Sequence, residues 1–257
     1  MNKFIKTQEQ IDNIKVSCRM LALMMQEIGP MVKEGTTPLQ IDKFAFDWIN
    51  SNGAQNAFLD YHGFPNTLCI GVNSMSTHGV PTNIPFKNGD IVTIDAGLCW
   101  KGLFSDMART YTIGTVSKDK QIFMDTVRQA LDNAMNQARG GNHIGDISYA
   151  IHSTVKPHGY SPLVEYQGHG IGFKLHEEPS IPGAYGNPGD GMLLKPGMTI
   201  AIETLINMGK PKVITSKKDG WTTHTADGSM FSLFENTVLI TEGECEILTK
   251  IWKVLLN

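Results

Sequence analysis

Two aspartates between apolar residues are the first candidates for chemistry. Asp95 and Asp106 lie eleven residues apart in two predicted strands that reverse around residues 100–102, so we expect them to face each other across a β-hairpin. Opposed carboxylates repel, and a buried one needs a cation or a shared proton. Solvated aspartates on an exposed face are the simpler alternative, but apolar neighbours such as Ile94 and Phe104 indicate burial.

A histidine between glycines is the second candidate. His169 lies within the stretch Gly168-His169-Gly170-Ile171-Gly172, and His176 follows seven residues later. The glycines predict close approach of the backbone to a ligand and an unusual turn that holds the imidazole. A lone histidine is more often a satisfied core residue, but the glycines and the second histidine favour a ligand role here.

Two glutamates complete the set of candidate residues. Glu203 and Glu235 each follow an apolar, strand-like stretch. Glutamate is seldom buried without a partner. One such residue would indicate a local salt bridge, whereas two beside the aspartates and the histidine predict a metal site. Four carboxylates and one imidazole suit Mn²⁺, Fe²⁺, Co²⁺ or Zn²⁺. Five ligands exceed the need of one tetrahedral ion, and a pair of bridged ions would use them all.

The elements that must position these residues occur in a repeated order. Capping residues and apolar spacing predict helices from Thr7 to Gly29, over 38–51 and 117–139, and from about Asp146 to Val155. A shift of 106 residues superimposes matching small and apolar positions, namely Gly35, Ile41, Ala45 and Ile49 on Gly141, Ile147, Ile151 and Val155. We therefore expect one α+β domain over residues 1–257, with similar halves at roughly 1–115 and 116–257 and helices against one face of a mainly antiparallel sheet.

Composition narrows the function classes. The chain has 257 residues, 41% of them hydrophobic, and a net charge of −3, which argues against a protein that binds nucleic acid by neutralising phosphates. Its four cysteines lie far apart and predict neither a zinc finger nor a disulfide framework. The N-terminus lacks the pattern of a signal peptide, and no apolar run would span a bilayer. We expect a cytoplasmic protein without nucleic-acid or membrane partners.

The order and spacing of the five candidate ligands resemble those of the type I methionine aminopeptidases, whose fold is called pita-bread. Blocks typical of that family recur at residues 60–65, 78–81, 90–95, 168–172 and 194–198. The resemblance implies a pita-bread fold with a curved sheet, internal pseudo-two-fold symmetry and two divalent ions (Co, Mn, Fe or Zn). It implies Asp95 on one ion, His169 and Glu203 on the other, Asp106 and Glu235 as bridges, and a bridging water as the nucleophile.

The same resemblance implies roles around the metals. Glu203 would also act as general base, and His78 and His176 would contact the scissile peptide. Without the resemblance, a simple turn residue would be the favoured interpretation of His78. The methionine pocket would include Tyr61, Phe64, Cys69 and Trp221. The chain departs from the family at positions that line or adjoin the site, namely Phe58 for a small cysteine, Leu175 for phenylalanine, Thr204 for proline, Leu233 for glutamine and Asn236 for histidine.

The predicted activity is removal of the initiator methionine from nascent chains whose second residue is small. The expected partners are nascent N-termini, with the ribosome exit as a possible place of action, and the expected state is a monomer. The departures suggest a divergent paralogue with altered preference. An Xaa-Pro dipeptidase is one alternative, although those relatives usually carry an extra N-terminal domain. A binding module without catalysis is another, although such relatives usually lose metal ligands.

Overall fold

Four long helices appear at the predicted places in the computed structural model, which describes residues 4–251. Their bounds are α1 Gln8–Ile28, α2 Pro38–Ser51, α3 Lys118–Gln137 and α4 Ile144–Val155. Capping boxes of Thr7 with Gln10 and of Thr37 with Gln40 satisfy the first free backbone N–H groups of α1 and α2. The helix predictions are confirmed, with α4 beginning two residues earlier than expected.

The strands form two larger sheets and one small hairpin. Their bounds are β1 Gln55–Asn56, β2 Leu68–Val72, β3 Ile91–Trp100, β4 Leu103–Thr112, β5 Ser161–Pro162, β6 Gly168–Gly170, β7 Glu177–Ile181, β8 Thr199–Asn207, β9 Val213–Thr215, β10 Thr223–Thr225, β11 Phe231–Leu239 and β12 Glu246–Ile247. Strands β1 to β4 make the first sheet, β5 to β8 with β11 and β12 make the second, and β9 pairs with β10. The strand pairs registered within residues 4–251 are antiparallel, which confirms the predicted α+β class.

Each larger sheet carries its own pair of helices. Helices α1 and α2 pack on β2 and β3 through one apolar core, and α3 and α4 pack on β8 and β11 through another. Residues that the repeat superimposes are equivalent in burial, since Ile41 and Ile147 are both fully buried. Both halves therefore follow the order helix, helix, sheet. The outermost residues of the predicted domain, 1–3 and 252–257, lie outside the described part of the chain.

The two sheets meet where β4 lies beside β11. Thr237 Oγ1 donates a hydrogen bond to the Asp106 carbonyl at 2.7 Å, and Thr110 Oγ1 donates to the Leu233 carbonyl at 2.8 Å. Because these bonds come from side chains, the two strands stay adjacent without a backbone ladder. This junction brings the aspartates of the first sheet close to the glutamates of the second.

Membrane insertion through a helix finds no support in residues 4–251, where none of the helices is both long and apolar enough to cross a bilayer.

Candidate metal centre

The aspartate hairpin forms as predicted, but its register differs from the expectation. Trp100 pairs with Leu103, Asp95 pairs with Ala108, and Asp106 pairs with Gly97. The two aspartates are therefore diagonal neighbours on one face of the hairpin, and the prediction that they lie directly opposite is wrong. The reason is the turn, because its two residues are Lys101 and Gly102, both with positive φ, which is the backbone that closes a two-residue hairpin.

Directly opposed carboxylates occur instead in the second sheet. Glu235 on β11 is the register partner of Glu203 on β8, and Glu235 is only 2% exposed. Side chains at such positions lie about 5 Å apart at their Cβ atoms, so two like charges there are destabilising. This pair, like the aspartates, needs a cation or a proton.

His169 lies on an extended strand rather than on the unusual turn that its glycines predicted. A Cβ on Gly168 would lie 2.6 Å from the Ala201 carbonyl oxygen, and one on Gly170 would overlap the Glu178 carbonyl. The glycines thus let β6 fit between β7 and β8. A register shift between His169 and Gly170 marks a bulge, which turns side chains locally.

The His169 imidazole faces the carboxylates with its Nε2 atom. Its Nδ1 lies 2.9 Å from the Gly170 carbonyl oxygen. Because a carbonyl only accepts, Nδ1 carries the proton and Nε2 has the free lone pair that a metal ligand needs. Nε2 lies 3.9 Å from Asp106 Oδ2 and 4.0 Å from Glu203 Oε1.

The five predicted ligands converge into overlapping groups. Within residues 4–251, one group joins His169, Glu203 and Glu235, and another joins Asp95, Asp106 and Glu235, with the ligand atoms of each group within 4.8 Å of one another. Glu235 belongs to both groups. A third group joins Asp106, His169 and His176, so Asp106 is shared as well.

The chemistry of these side chains fits a metal centre. Asp95 Oδ1 and Asp106 Oδ1 are buried without a hydrogen-bond partner. Burial raises the pKa of Asp95 to about 7, and burial together with the charge of Asp95 raises the pKa of Glu203 to about 8. Burial and neighbouring carboxylates also raise the pKa of Asp106 and Glu235 well above the usual range. Divalent cations would satisfy the unpaired oxygens and remove the repulsion.

A cavity of about 840 Å³ opens above the ligands, and every residue predicted for the site lines it. His78 has a positive φ of 56°, so it is both the turn residue of the simpler alternative and a wall of the site. Its ring meets those of Tyr166 and Trp221 edge to face. His176 lies at the exposed mouth, where its Nδ1 is 3.0 Å from the Tyr61 hydroxyl.

The apolar wall of the cavity contains both predicted departures in the pocket. Phe58 and Leu175 are buried in one cluster with Phe64 and Cys69, against Trp221. A Cβ on Gly97 would lie 2.7 Å from Phe58 Cε1, so the Phe58 ring occupies the space that this glycine leaves open. Phe58 therefore packs directly against the strand that carries Asp95.

Sequence reasoning missed several residues of the site. Tyr166 lines the cavity three residues before His169, and its presence in the glycine-rich stretch was the signal that could have found it. The half-buried Arg109 donates hydrogen bonds to the Glu235 carbonyl and to Asn236 Oδ1. Its place three residues after Asp106 was the only local sign. His62 also lines the cavity, without a sequence signal that distinguishes it.

Comparison with known proteins agrees with the fold and identifies the family. The profile of metallopeptidase family M24 matches residues 12–242, and the chain belongs to this family of metal-dependent peptidases, with a pita-bread fold. It is 38% identical to the methionine aminopeptidase of Clostridium perfringens over 247 residues, which are 96% of this chain and 98% of that one. The crystal structure of methionine aminopeptidase from Thermotoga maritima superimposes with a TM-score of 0.93 at 36% identity, covering 96% and 98% of the two chains.

A prolidase from Pyrococcus furiosus shares the fold with a TM-score of 0.79 at 26% identity. The alignment covers 98% of this chain but only 66% of that prolidase. The likeness to the methionine aminopeptidases thus extends over both whole chains, whereas the likeness to the prolidase leaves a third of the larger protein unmatched.

Proposed function

We propose that this metallopeptidase removes N-terminal methionine from proteins and peptides whose second residue is small. The observation that carries the proposal is the pair of ligand groups that share Glu235 at the base of an aromatic cavity. The methionine aminopeptidases that match nearly the whole chain support the same activity. A binding module would not need two converging groups of buried, unpaired carboxylates.

We propose that the site binds two divalent ions, each held by one of the overlapping ligand groups. Asp95 would bind one ion, His169 and Glu203 the other, and Asp106 and Glu235 both; Co, Mn, Fe and Zn all suit these ligands. When bound, such ions lower the pKa of water and polarise a carbonyl oxygen, which makes hydrolysis possible at neutral pH. His169 would bind in its neutral form, because burial and the neighbouring His176 lower its pKa to about 3.

The protein's own residues would handle the proton and the substrate. Glu203 lies in the wall of the cavity and would take the proton of the attacking water and deliver it to the leaving amine. His78 and His176 line the same cavity and would donate hydrogen bonds to the scissile peptide as charge develops on its oxygen. Burial and the nearby His176 lower the pKa of His78, so it would act as a neutral donor.

The apolar wall would bind the methionine side chain. Phe64 and Trp221 meet edge to face with ring centroids 5.4 Å apart, and Cys69 and Leu175 are buried beside them. A thioether packs favourably at aromatic edges. Phe58 fills part of this wall, so we propose a pocket shallower than one with a small residue there, and a correspondingly stricter length limit for the bound side chain.

We further propose that the protein works as a monomer in the cytoplasm on newly made chains, near the ribosome exit. Support for the reducing compartment comes from the cysteines, because Cys18, Cys69, Cys99 and Cys245 are all free thiols and disulfides are rare in cytosolic proteins. Co-sedimentation of the purified protein with ribosomes that carry nascent chains tests this placement, and its absence at low salt would count against it.

The decisive experiment is hydrolysis of Met-Ala-Ser and Met-Leu-Ser by apo-protein reconstituted separately with Mn²⁺, Co²⁺, Fe²⁺ or Zn²⁺. We expect metal-dependent release of methionine from Met-Ala-Ser alone, since a small neighbouring site rejects leucine. Glu203→Gln is the matched control, because it keeps the shape of the side chain but removes the proposed base.

Other outcomes have separate meanings. Cleavage of Ala-Pro with no release of methionine would replace the proposal by a dipeptidase. A folded, metal-loaded protein that cleaves neither peptide would favour a binding role.

A further inference from the structure

The N-terminal segment 4–6 crosses the molecule to reach the loop that carries His176. Lys6 Nζ forms an ion pair with Glu177 Oε2 at 2.7 Å, between residues 171 positions apart. The Lys6 side chain is 1% exposed and that of Glu177 is 15% exposed. Lysine is almost never buried to this degree without a paired charge, and Glu177 is the immediate neighbour of His176.

Glu177 uses its second oxygen to close the same loop. The backbone N–H of Lys174 donates to Glu177 Oε1 at 2.9 Å. One carboxylate thus holds both the incoming backbone of the loop and the ammonium group of Lys6. His176 lies inside the segment that the Lys174–Glu177 bond closes, and the Lys6 ion pair holds Glu177, so the position of His176 depends on where Glu177 is held.

The aliphatic part of the Lys6 side chain also packs directly against the loop that carries His176. A Cβ on Gly172 would lie 2.5 Å from Lys6 Cε, so the lysine stem runs directly over this glycine. Lys6 Nζ lies 5.1 Å from the ring centroid of Phe173, a cavity-lining residue. Lys6 thus contacts the loop at three residues, Gly172, Phe173 and Glu177, whereas a surface ion pair would contact only one.

The other side of the segment is anchored on the second sheet. The Lys6 backbone N–H donates to the Gly197 carbonyl at 2.9 Å, and a Cβ on Gly197 would lie 2.8 Å from Ile5 Cγ2. Gly197 lies in the turn that precedes β8, the strand of Glu203. Lys6 therefore connects the His176 loop to the strand that supplies a ligand.

We propose that Lys6, through Glu177, is a positioning residue that holds His176 over the metal ligands. The proposal rests on the function proposed above, in which His176 contacts the scissile peptide. Within the described chain, the contacts of the His176 ring itself are with Tyr61, through the hydroxyl, and with the ring of His169. Without the buried ion pair the loop would shift, and a shift of about 1 Å can lower a rate on the order of 100-fold.

A double-mutant cycle tests the proposal. Lys6→Met keeps the apolar stem, and we expect it to lower kcat/KM for Met-Ala-Ser by on the order of 100-fold, mainly through kcat. In a His176→Gln background the same substitution should lower kcat/KM less than about twofold, because the residue that Lys6 positions is gone. An equal loss in both backgrounds would overturn the proposal.

Two further variants separate positioning from stability. Lys6→Met combined with Glu177→Gln removes both charges of the ion pair. The amide oxygen of the new side chain at position 177 can still accept the hydrogen bond from the Lys174 backbone N–H. We expect the double variant to regain the melting temperature that Lys6→Met alone loses, while kcat/KM stays low. If the double variant regained both its melting temperature and its kcat/KM, the ion pair would be purely structural. Lys15→Met is the matched control, because Lys15 forms an equally short but partly exposed pair with Glu246, and it should leave kcat/KM unchanged.

A measurement that does not depend on activity tests the inference even if the proposed function is wrong. The imidazole signals of His176 in the metal-free protein, recorded by NMR at one pH and assigned with His176→Gln, should shift in Lys6→Met and not in Lys15→Met. If the wild type released no methionine, the proposed function would fail, and these signals would still decide the inference. Unchanged His176 signals in Lys6→Met would overturn it.

Discussion

The aspartate hairpin and the glutamate strand pair supply two carboxylates each, but they do so in different ways. In the β3–β4 hairpin the aspartates are diagonal neighbours, joined by a turn of two residues. In the β8–β11 pair the glutamates are directly opposed, although 32 residues separate them along the chain. A local turn decides the first arrangement, whereas only the assembled second sheet produces the other.

Despite this difference, each region supplies one shared ligand. Glu235 from the opposed pair and Asp106 from the hairpin each belong to two of the ligand groups, while Glu203 and Asp95 belong to one each. Each region therefore contributes one residue that would bind both proposed ions and one that would bind a single ion. Gly97, rather than Asp95, is the residue opposite Asp106, and its missing side chain leaves room for Phe58.

The largest expected effect comes from removing ligands from each region in turn. Glu235→Gln and Asp95→Asn should both lower kcat/KM by on the order of 1,000-fold or more, because transition-state charge loses its stabilisation. Titration calorimetry should separate them, since Asp95→Asn keeps the group of His169, Glu203 and Glu235 and retains one ion. Glu235→Gln damages both groups and should bind fewer ions. Equal stoichiometry in the two variants would contradict the proposed sharing.

Next in size is the effect of filling the space beside the hairpin. Gly97→Ala should displace the Phe58 ring into the cavity and lower kcat/KM for methionine peptides by about 10- to 200-fold, the range for one misfit group. Phe58→Leu in the same chain should restore much of the loss. Gly243→Ala is the control, because its added Cβ meets nothing within 4 Å. If Phe58→Leu did not restore kcat/KM, displacement of the Phe58 ring would not be the cause of the loss.

A smaller effect is expected from the side chain that joins the two regions. Arg109 on β4 donates to the Asn236 amide oxygen at 2.7 Å and to the Glu235 carbonyl. Arg109→Met removes this donor from both buried acceptors, although Thr249 Oγ1 still donates to Asn236 Oδ1. It should lower the free energy of unfolding by about 2 kcal/mol, measured by urea denaturation. Lys43→Met, which breaks an exposed pair, should change it by less than about 0.5 kcal/mol. Similar losses in both variants would argue against a joining role.

The last expected effect is a pH dependence of the stability of the metal-free protein, which involves both regions together. Burial raises the folded-state pKa of Asp95 from 3.8 to about 7 and that of Glu203 from 4.5 to about 8. The folded state then binds more protons than the unfolded state, so its stability falls as the pH rises from about 4 through 8. The melting temperature in EDTA should be lower by several degrees at pH 8 than at pH 5.

Metal and mutation should both change that pH dependence. Excess divalent ion should raise the melting temperature more at pH 8 than at pH 5, because it replaces the protons. Glu235→Gln should flatten the slope by removing one of the opposed charges. A metal-free melting temperature that rises between pH 5 and pH 8 would show that these carboxylates do not dominate the stability of the site.

The helices and the presence of the hairpin were predictable because their causes are local. The capping residues Thr7 and Thr37, and the apolar spacing that follows each of them, define α1 and α2 without help from distant residues. The exact hairpin register was missed by a one-residue shift of the turn centre. Such a shift moves the whole pairing by two residues, and only the backbone conformation of Lys101 and Gly102 decides it.

The roles of Arg109 and Lys6 could not be predicted for the opposite reason. Their partners Glu235 and Glu177 lie more than 100 residues away, and although Arg109 lies close to Asp106 in the chain, no neighbouring residue identifies the partner of either side chain. Likewise, the glycines around His169 signalled a close approach, but whether the neighbour was a ligand or another strand depended on β7 and β8.

By itself, the sequence determined the residue types and therefore the chemistry. Four carboxylates and one imidazole in apolar strands can hold little other than cations, whatever the fold, because burying them unpaired is too costly. The tertiary structure decided which oxygens meet. It set Glu203 opposite Glu235, aimed His169 Nε2 at the acids and tied the His176 loop to Lys6, because these contacts arise only when the two sheets and the N-terminal segment pack together.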